Sequence, residues 1–228
     1  MKLCNKKTVF KIITISLSII VLSACNDSED FDKDINAVEK NRSSLINFVN
    51  ATDEMTNFYV SPKAITESIY NSNYQLASVV SGETSELINY QWNDNLSKTE
   101  MAIRDTNNQS QKANIFHKLE HNKEYFAVAW LDDDNFSLSI IEGQTSPQKN
   151  VYNIRFFSVI DRSIFLGNDT SAITTVEKGK VSNNITVDNC ADIELINDVQ
   201  SNFCQIANIG ESYLVVIDDN NEIVISQQ

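Results

Sequence analysis

Glycine and proline are scarce in this chain, at 5 and 2 of 228 residues. The usual turn-making residues are therefore missing. The 28 asparagines, together with the aspartates, must take over. Both tolerate the left-handed backbone region and bond their own main chain. Histidine is scarcer still: His117 and His121 are the only two. A catalytic triad would have to recruit one of them. No G-x-S-x-G elbow, phosphate loop or dinucleotide motif is present. No cofactor is implied. Positive charge is also thin. Four of the 18 basic residues precede Cys25 and no acidic one does, which leaves the 204 residues from Cys25 onward with 14 basic against 31 acidic side chains, a net of −17. A surface of that sign repels phosphate backbones, which excludes nucleic acid as a partner.

The N-terminus carries an address. Lys2, Lys6, Lys7 and Lys11 form a positive region, and Ile12 to Ala24 is almost wholly apolar. The apolar run falls short of the roughly 20 residues that span a bilayer core. It fits a secretory signal peptide over residues 1–24. Leu22-Ser23-Ala24-Cys25 resembles the lipobox of bacterial lipoproteins. In that family a peptidase cuts before a Cys whose thiol has already received a diacylglyceryl group. The resemblance makes Cys25 the lipidated residue and the membrane a partner through the lipid anchor. Two or three acyl chains give stable anchoring where one does not. Asn26 is not the Asp that retains such proteins in the inner membrane, so the expected address is the cell envelope, outer membrane rather than inner. Residues 25–43 read as an acidic tether.

Two cysteines remain in that oxidising compartment, Cys190 and Cys204. A disulfide between them is the expected state. A redox-active pair would need a tight Cys-x-x-Cys, which is absent.

The body repeats itself. SLINFVNATD (44–53) returns as YNIRFFSVID (152–161), and EYFAVAWLDDDNFSLSI (124–140) returns as SYLVVIDDNNEIVIS (212–226). The opening and closing elements recur in the same order, which predicts two related domains over 44–146 and 150–228. The segment around Pro147 is the boundary. Between the ends, NYQLASVV, ELINYQW, TEMAIRD and KANIFHKL read as strands in the first copy. KVSNNITVD, DIELIND and FCQIAN do so in the second. Their spacing predicts an all-β protein of two tandem β-sandwiches. One short helix is expected in the first, with Ser61 capping Pro62 and KAITESIY. Within the first closing hairpin, apolar residues on both faces of 125–131 predict an inner strand.

LINFVNA, NIRFFSV and the closing hairpins resemble an uncharacterised family of envelope lipoprotein domains, a domain of unknown function that occurs in tandem. The resemblance implies an immunoglobulin-like fold for each sandwich. It brings no catalytic residues.

Candidate sites are few. Asp132, Asp134 and Asp218 sit in the two acidic turns and are the candidates for calcium. A hairpin tip alone supplies too few oxygens for the six to eight that calcium takes, so turn-making is the stronger reading. His117 and His121 lie four apart, but Lys118 stands where a zinc protease needs Glu. Trp130 follows the inward alternation. Trp92, with Tyr90 on the same face, is the candidate for an exposed ligand contact. These observations favour a non-catalytic, lipid-anchored envelope protein that binds or adheres to an envelope protein or a glycan. The alternatives are a carbohydrate- or peptidoglycan-binding protein, an envelope hydrolase, or a structural accessory subunit of a surface assembly.

Overall fold

A computed structural model describes residues 41–62, 67–93, 98–167, 171–197, 199–221 and 223–228. The signal, the lipobox with Cys25 and nearly all of the tether lie outside the described residues. The chain is mainly β, at 54 % strand against 6 % helix. Residues Arg42 to Gln228 form one compact unit.

Among the described residues the first half contributes eight strands: β1 (Asn41–Ala51), β2 (Thr56–Pro62), β3 (Gln75–Val79), β4 (Ile88–Asn93), β5 (Thr99–Asp105), β6 (Lys112–His117), β7 (Glu124–Asp132) and β8 (Asn135–Glu142). They form a first sheet, β4-β1-β7-β8, and a second, β3-β2-β5-β6. The second half runs β9 (Tyr152–Ser158), β10 (Arg162–Ile164), β11 (Thr174–Val176), β12 (Lys180–Val181), β13 (Ile185–Val187), helix α1 (Cys190–Glu194), β14 (Leu195–Ile196), β15 (Val199–Gln200), helix α2 (Phe203–Ile206), β16 (Ser212–Ile217) and β17 (Ile223–Gln227). A third sheet has the order β12-β9-β16-β17, with β13 also paired to β9.

The repeat seen in the sequence is a repeat of register. β1 lies parallel to β7 with Ile46 opposite Tyr125 and Phe48 opposite Ala127. β9 lies parallel to β16 with Ile154 opposite Tyr213 and Phe156 opposite Val215. Each closing hairpin then adds its return strand on the far side. The hydroxyl of Tyr125 accepts the Glu120 N–H at 2.9 Å, and that of Tyr213 accepts the Asn208 N–H at 2.6 Å. In both cases the donor lies five residues upstream.

A third matched element joins these two. Val79-x-x-Gly82-x-x-Ser85 corresponds to Val176-x-x-Gly179-x-x-Ser182. Gly82 and Gly179 have φ of 73° and 68°, in the left-handed region that side chains avoid. Their N–H groups donate to Asn50 and Ser158 carbonyls at 3.0 and 2.8 Å. Each Ser hydroxyl accepts a strand N–H, from Phe48 and Phe156 respectively, and donates to the next carbonyl. One short motif thereby satisfies backbone groups along an opening strand that would otherwise be left unpaired.

Three apolar layers stack through the unit. Ile46, Phe48 and Tyr125 pack with Phe58, Val60 and Met101 of the second sheet. Val49, Phe126, Val128 and Trp130, from the opposite face of the first sheet, pack with Phe157, Leu214 and Val216 of the third. Ile154, Phe156 and Tyr213 pack with Ile164, Ile193 and Phe203. β7 is therefore buried on both faces, as the apolar residues on both its faces predict. The middle layer belongs to both halves. Polar ties cross the same seam: Ser146 N–H to Ser212 Oγ, and Gln144 N–H to Gln228 Oε1, both 3.1 Å. The Arg155 guanidinium is buried there, donating to the Glu142 carbonyl at 2.7 Å and to Gln228 Oε1.

The halves differ in what covers their outer core. In the first, β5 and β6 do so as strands. In the second, DIELIND and FCQIAN are not the expected strands. They supply the α1 helix, the two-residue β14 and the α2 turn. The disulfide Cys190–Cys204, with Cα atoms 5.2 Å apart, holds those two helical turns together. That long-range tie outweighs the β preference of the local sequence. Phe203 and Ile193 are fully buried beneath it. The cap expected for a helix at Ser61 is not formed by Ser61. Ser61 and Pro62 end β2, opposite Glu100 and Thr99. Residues 63–66 lie outside the described residues, and 67–70 are bend and turn.

Candidate functional site: a carboxamide-lined groove

The acidic turns are engaged within the fold. Asp132 pairs with Asn135, and the two residues between them, Asp133 and Asp134, have φ of 49° and 65°. Two left-handed central residues are what a tight hairpin with right-handed strand twist requires. Lys178 reaches across from the second half, its Nζ 2.6 Å from Asp132 and 2.8 Å from Asp133. Hydrogen bonds to Asp132 and then Asp133 raise the pKa of that ammonium. In the second turn Asp218 is buried, and its carbonyl accepts the Arg162 guanidinium at 3.0 Å. No cluster of three or more metal-ligating side chains forms among the described residues, so Asp132, Asp134 and Asp218 do not converge.

Trp92 is buried within the first apolar layer, not exposed for ligand contact. Tyr90 stacks on it, with ring centroids 6.0 Å apart. Burial pushes the Tyr90 phenol up to about 12. Both alternate with the outward residues of β4 and point into the core. Trp130 is core as well, its indole N–H donating to Ser139 Oγ at 3.0 Å. His117 lies edge-on to Tyr125, and burial lowers its pKa. His121 Nδ1 accepts the Ser43 N–H at 3.1 Å and so ties down the start of β1.

Two cations face one groove, and both are engaged within the fold. A groove of about 580 Å³ lies between Arg162 and Lys178. Lys178 is held by Asp132 and Asp133, and Arg162 donates to Asn221 and to the Asp218 carbonyl.

A larger groove, of about 750 Å³, has a different character. Its floor and walls come from both halves: the Gly82 turn, the segment around the disulfide, and the second acidic turn. The side chains of Gln200, Asn202, Gln205, Asn220 and Asn221 line it, with Val199 and Ile223 as the apolar contribution. None of its described lining residues is charged. The side chains of Gln200, Asn202, Gln205 and Asn220 make no hydrogen bond among the described residues, whereas Asn221 Oδ1 accepts from Arg162. Cys204 sits within the wall, between Asn202 and Gln205, so the disulfide fixes the backbone from which two of the carboxamides project. The Asn221 backbone is left-handed, with φ of 67°.

Sequence reasoning passed over these residues. The available signal was an absence: 199–210, VQSNFCQIANIG, is a twelve-residue stretch without a charge in a strongly acidic chain. No protein-family model and no curated protein matches this chain.

Proposed function

We propose that the protein is a non-catalytic, lipid-anchored binding module of the bacterial cell envelope, built from two tandem immunoglobulin-like sandwiches fused through a common core. The observation that carries the binding role is the groove to which both halves contribute and which Gln200, Asn202, Gln205, Asn220 and Asn221 line. It falls within the roughly 300–1,000 Å³ that ligand sites occupy. Cys25 takes the lipid, and the acidic stretch after it spaces the compact unit, which begins at Arg42, from the outer membrane. The immunoglobulin-like reading is supported by the two tyrosines that bond backbone N–H groups upstream of their strands, a device of that architecture. Among the described residues no helix is long and apolar enough to cross a membrane.

Metabolic labelling with radioactive palmitate, followed by fractionation, tests the anchor. The wild-type chain is expected to carry label and to sediment with outer membranes, and Cys25→Ala to lose both. An unlabelled, freely soluble wild-type chain refutes the proposal.

A further inference from the structure

We infer that the outer edge of β17 takes up an extended, basic segment of a partner protein as an added β-strand. This rests on reading the chain as an envelope binding module and names the kind of partner. The edge is open. β17 ends the third sheet, with β16 on its inner side. The Gln228 N–H donates to the Ser212 carbonyl at 2.7 Å, continuing that pairing. An antiparallel ladder alternates inward and outward groups, so Ser226 and Val224 bond β16 as well. Ile223, Ile225 and Gln227 turn their N–H and C=O groups outward, where no described backbone group meets them. The strand itself, IVISQ, has no charge, no proline and no break in register with β16. An edge without those features is a template for a further strand. At the other end of the sheet, β12 is two residues long and carries Lys180.

The edge runs along a trough. The carboxamide-lined groove flanks it at Asn220, Asn221 and Ile223, and a groove of about 380 Å³ flanks it from Ile225 to Gln228. The segment 82–87 contributes to both, through Gly82 in the first and through Thr84 and Leu87 in the second. That segment lies beside β1 in the neighbouring layer: Thr84 is bridged to Val49, and the Ser85 N–H donates to the Phe48 carbonyl at 2.8 Å. β17 itself lies over β1, the Ser226 hydroxyl donating to Asn47 Oδ1 at 3.2 Å. A strand added to β17 therefore rests on 82–87, and its alternate side chains meet Leu87, which is 46 % exposed.

This layering decides the occupant. A second copy joined edge to edge about a twofold axis would bring its own 82–87 segment beneath β17, where β1 already lies. A single strand with no layer beneath it fits. Its charge follows from the surroundings. Glu124 lines the trough, and the chain from Cys25 onward carries a net of −17. A basic segment is drawn in, and the chain's own acidic stretch after Cys25 is repelled.

Fluorescence anisotropy with the full chain in detergent tests the inference. The probe is a labelled Lys-Lys-Val-Thr-Val-Thr-Val-Lys-Lys peptide, and its control has glutamate for every lysine. Saturable binding of the lysine peptide is expected, with the glutamate peptide binding more weakly. Gln227→Pro deletes one outward N–H and spares the β16 ladder. It is expected to weaken binding about tenfold, the effect of one lost hydrogen bond, with an unchanged circular dichroism spectrum. Gln227→Ala keeps the N–H and is expected to bind as wild type does. In the wild-type chain, bound peptide should slow hydrogen exchange at the Ile225 and Gln227 amides, a reading that does not depend on the proline variant folding. Equal affinity of a folded Gln227→Pro and wild type, or unchanged exchange at both amides, overturns the edge as the site. Tighter binding of the glutamate peptide overturns the partner's charge. A dimer of the free chain that Gln227→Pro dissolves, seen by sedimentation, overturns the partner in favour of a second copy. If palmitate labelling holds while neither peptide binds, the strand addition falls and the envelope anchor stands.

Discussion

Gly179→Ala probes the seam between the halves at one atom. Two costs add. The backbone there has φ of 68°, which costs an L side chain about 1–2 kcal/mol. A Cβ at that position would also lie 2.7 Å from Cζ2 of Trp130 and 2.9 Å from its Cη2. The indole has little room to retreat. It is 6 % exposed, its N–H is held by Ser139, and its ring stands edge-on to Phe157 at 6.0 Å. Overpacking of that kind costs about 1–3 kcal/mol. The expected loss is therefore about 2–5 kcal/mol, a large share of the roughly 5–15 kcal/mol that holds a domain together. Urea unfolding followed by tryptophan fluorescence reads it directly. Repeating the substitution in a Trp130→Phe background separates the terms: the clash vanishes and the backbone cost remains. A coupling of about 1 kcal/mol or more is expected from the cycle. A loss below about 0.5 kcal/mol, or no coupling, refutes the packing described for the seam.

Tyr125→Phe and Tyr213→Phe should each cost about 0.5–1.5 kcal/mol, because each removes the acceptor of one upstream N–H; unequal costs in urea melts would break the equivalence of the two halves. Replacing both Cys190 and Cys204 by Ala opens a loop of sequence separation 14 and should lower stability by about 3 kcal/mol, seen as a lower urea midpoint under non-reducing conditions. Tyr90 should shape the alkaline limit. Its pKa is raised by burial to about 12, so its contribution is whole below about pH 10 and lost as pH climbs toward 12; Tyr90→Phe should flatten that fall in a pH series of melts. His117 acts at the other end. Its pKa is lowered by burial, so its contribution is present above about pH 6.5 and lost on acidification; imidazole proton shifts should report a late protonation.

The strands of the first half were legible because they alternate or run apolar over five or more residues: β3, β5 and β6 fall within the segments read from sequence, and β4 runs one residue past ELINYQW, to Asn93. The repeat was legible in its ends for the same reason. Its middle was not. Val79-x-x-Gly82-x-x-Ser85 and its counterpart share three residues in seven, and what they share is a backbone geometry and one hydroxyl. The segment from Cys190 to Ile206 misled because Ile, Leu and Phe there have strand-like local preferences. The disulfide and the burial of Phe203 and Ile193, both long-range facts, decide the outcome. Left-handed turns followed the expected chemistry: all the described non-glycine residues with positive φ are Asn or Asp, namely Asn122, Asp133, Asp134, Asn197 and Asn221. Trp92 misled by its neighbours. Gln91 and Asn93 are polar, but strand alternation turns Trp92 inward regardless. The groove was invisible because its described members come from three separate stretches, at Gly82, 199–205 and 220–223, and follow no motif or periodicity.

The central structural claim is that the two halves share a middle core and unfold together. Scanning calorimetry of the chain from Cys25 onward tests it most directly. One transition is expected, with the calorimetric enthalpy equal to the van't Hoff enthalpy. Trp130→Ala should lower that single transition without splitting it, since Trp130 packs with Phe157 across the seam. Two resolved transitions in the wild type, one for each half, would contradict the account.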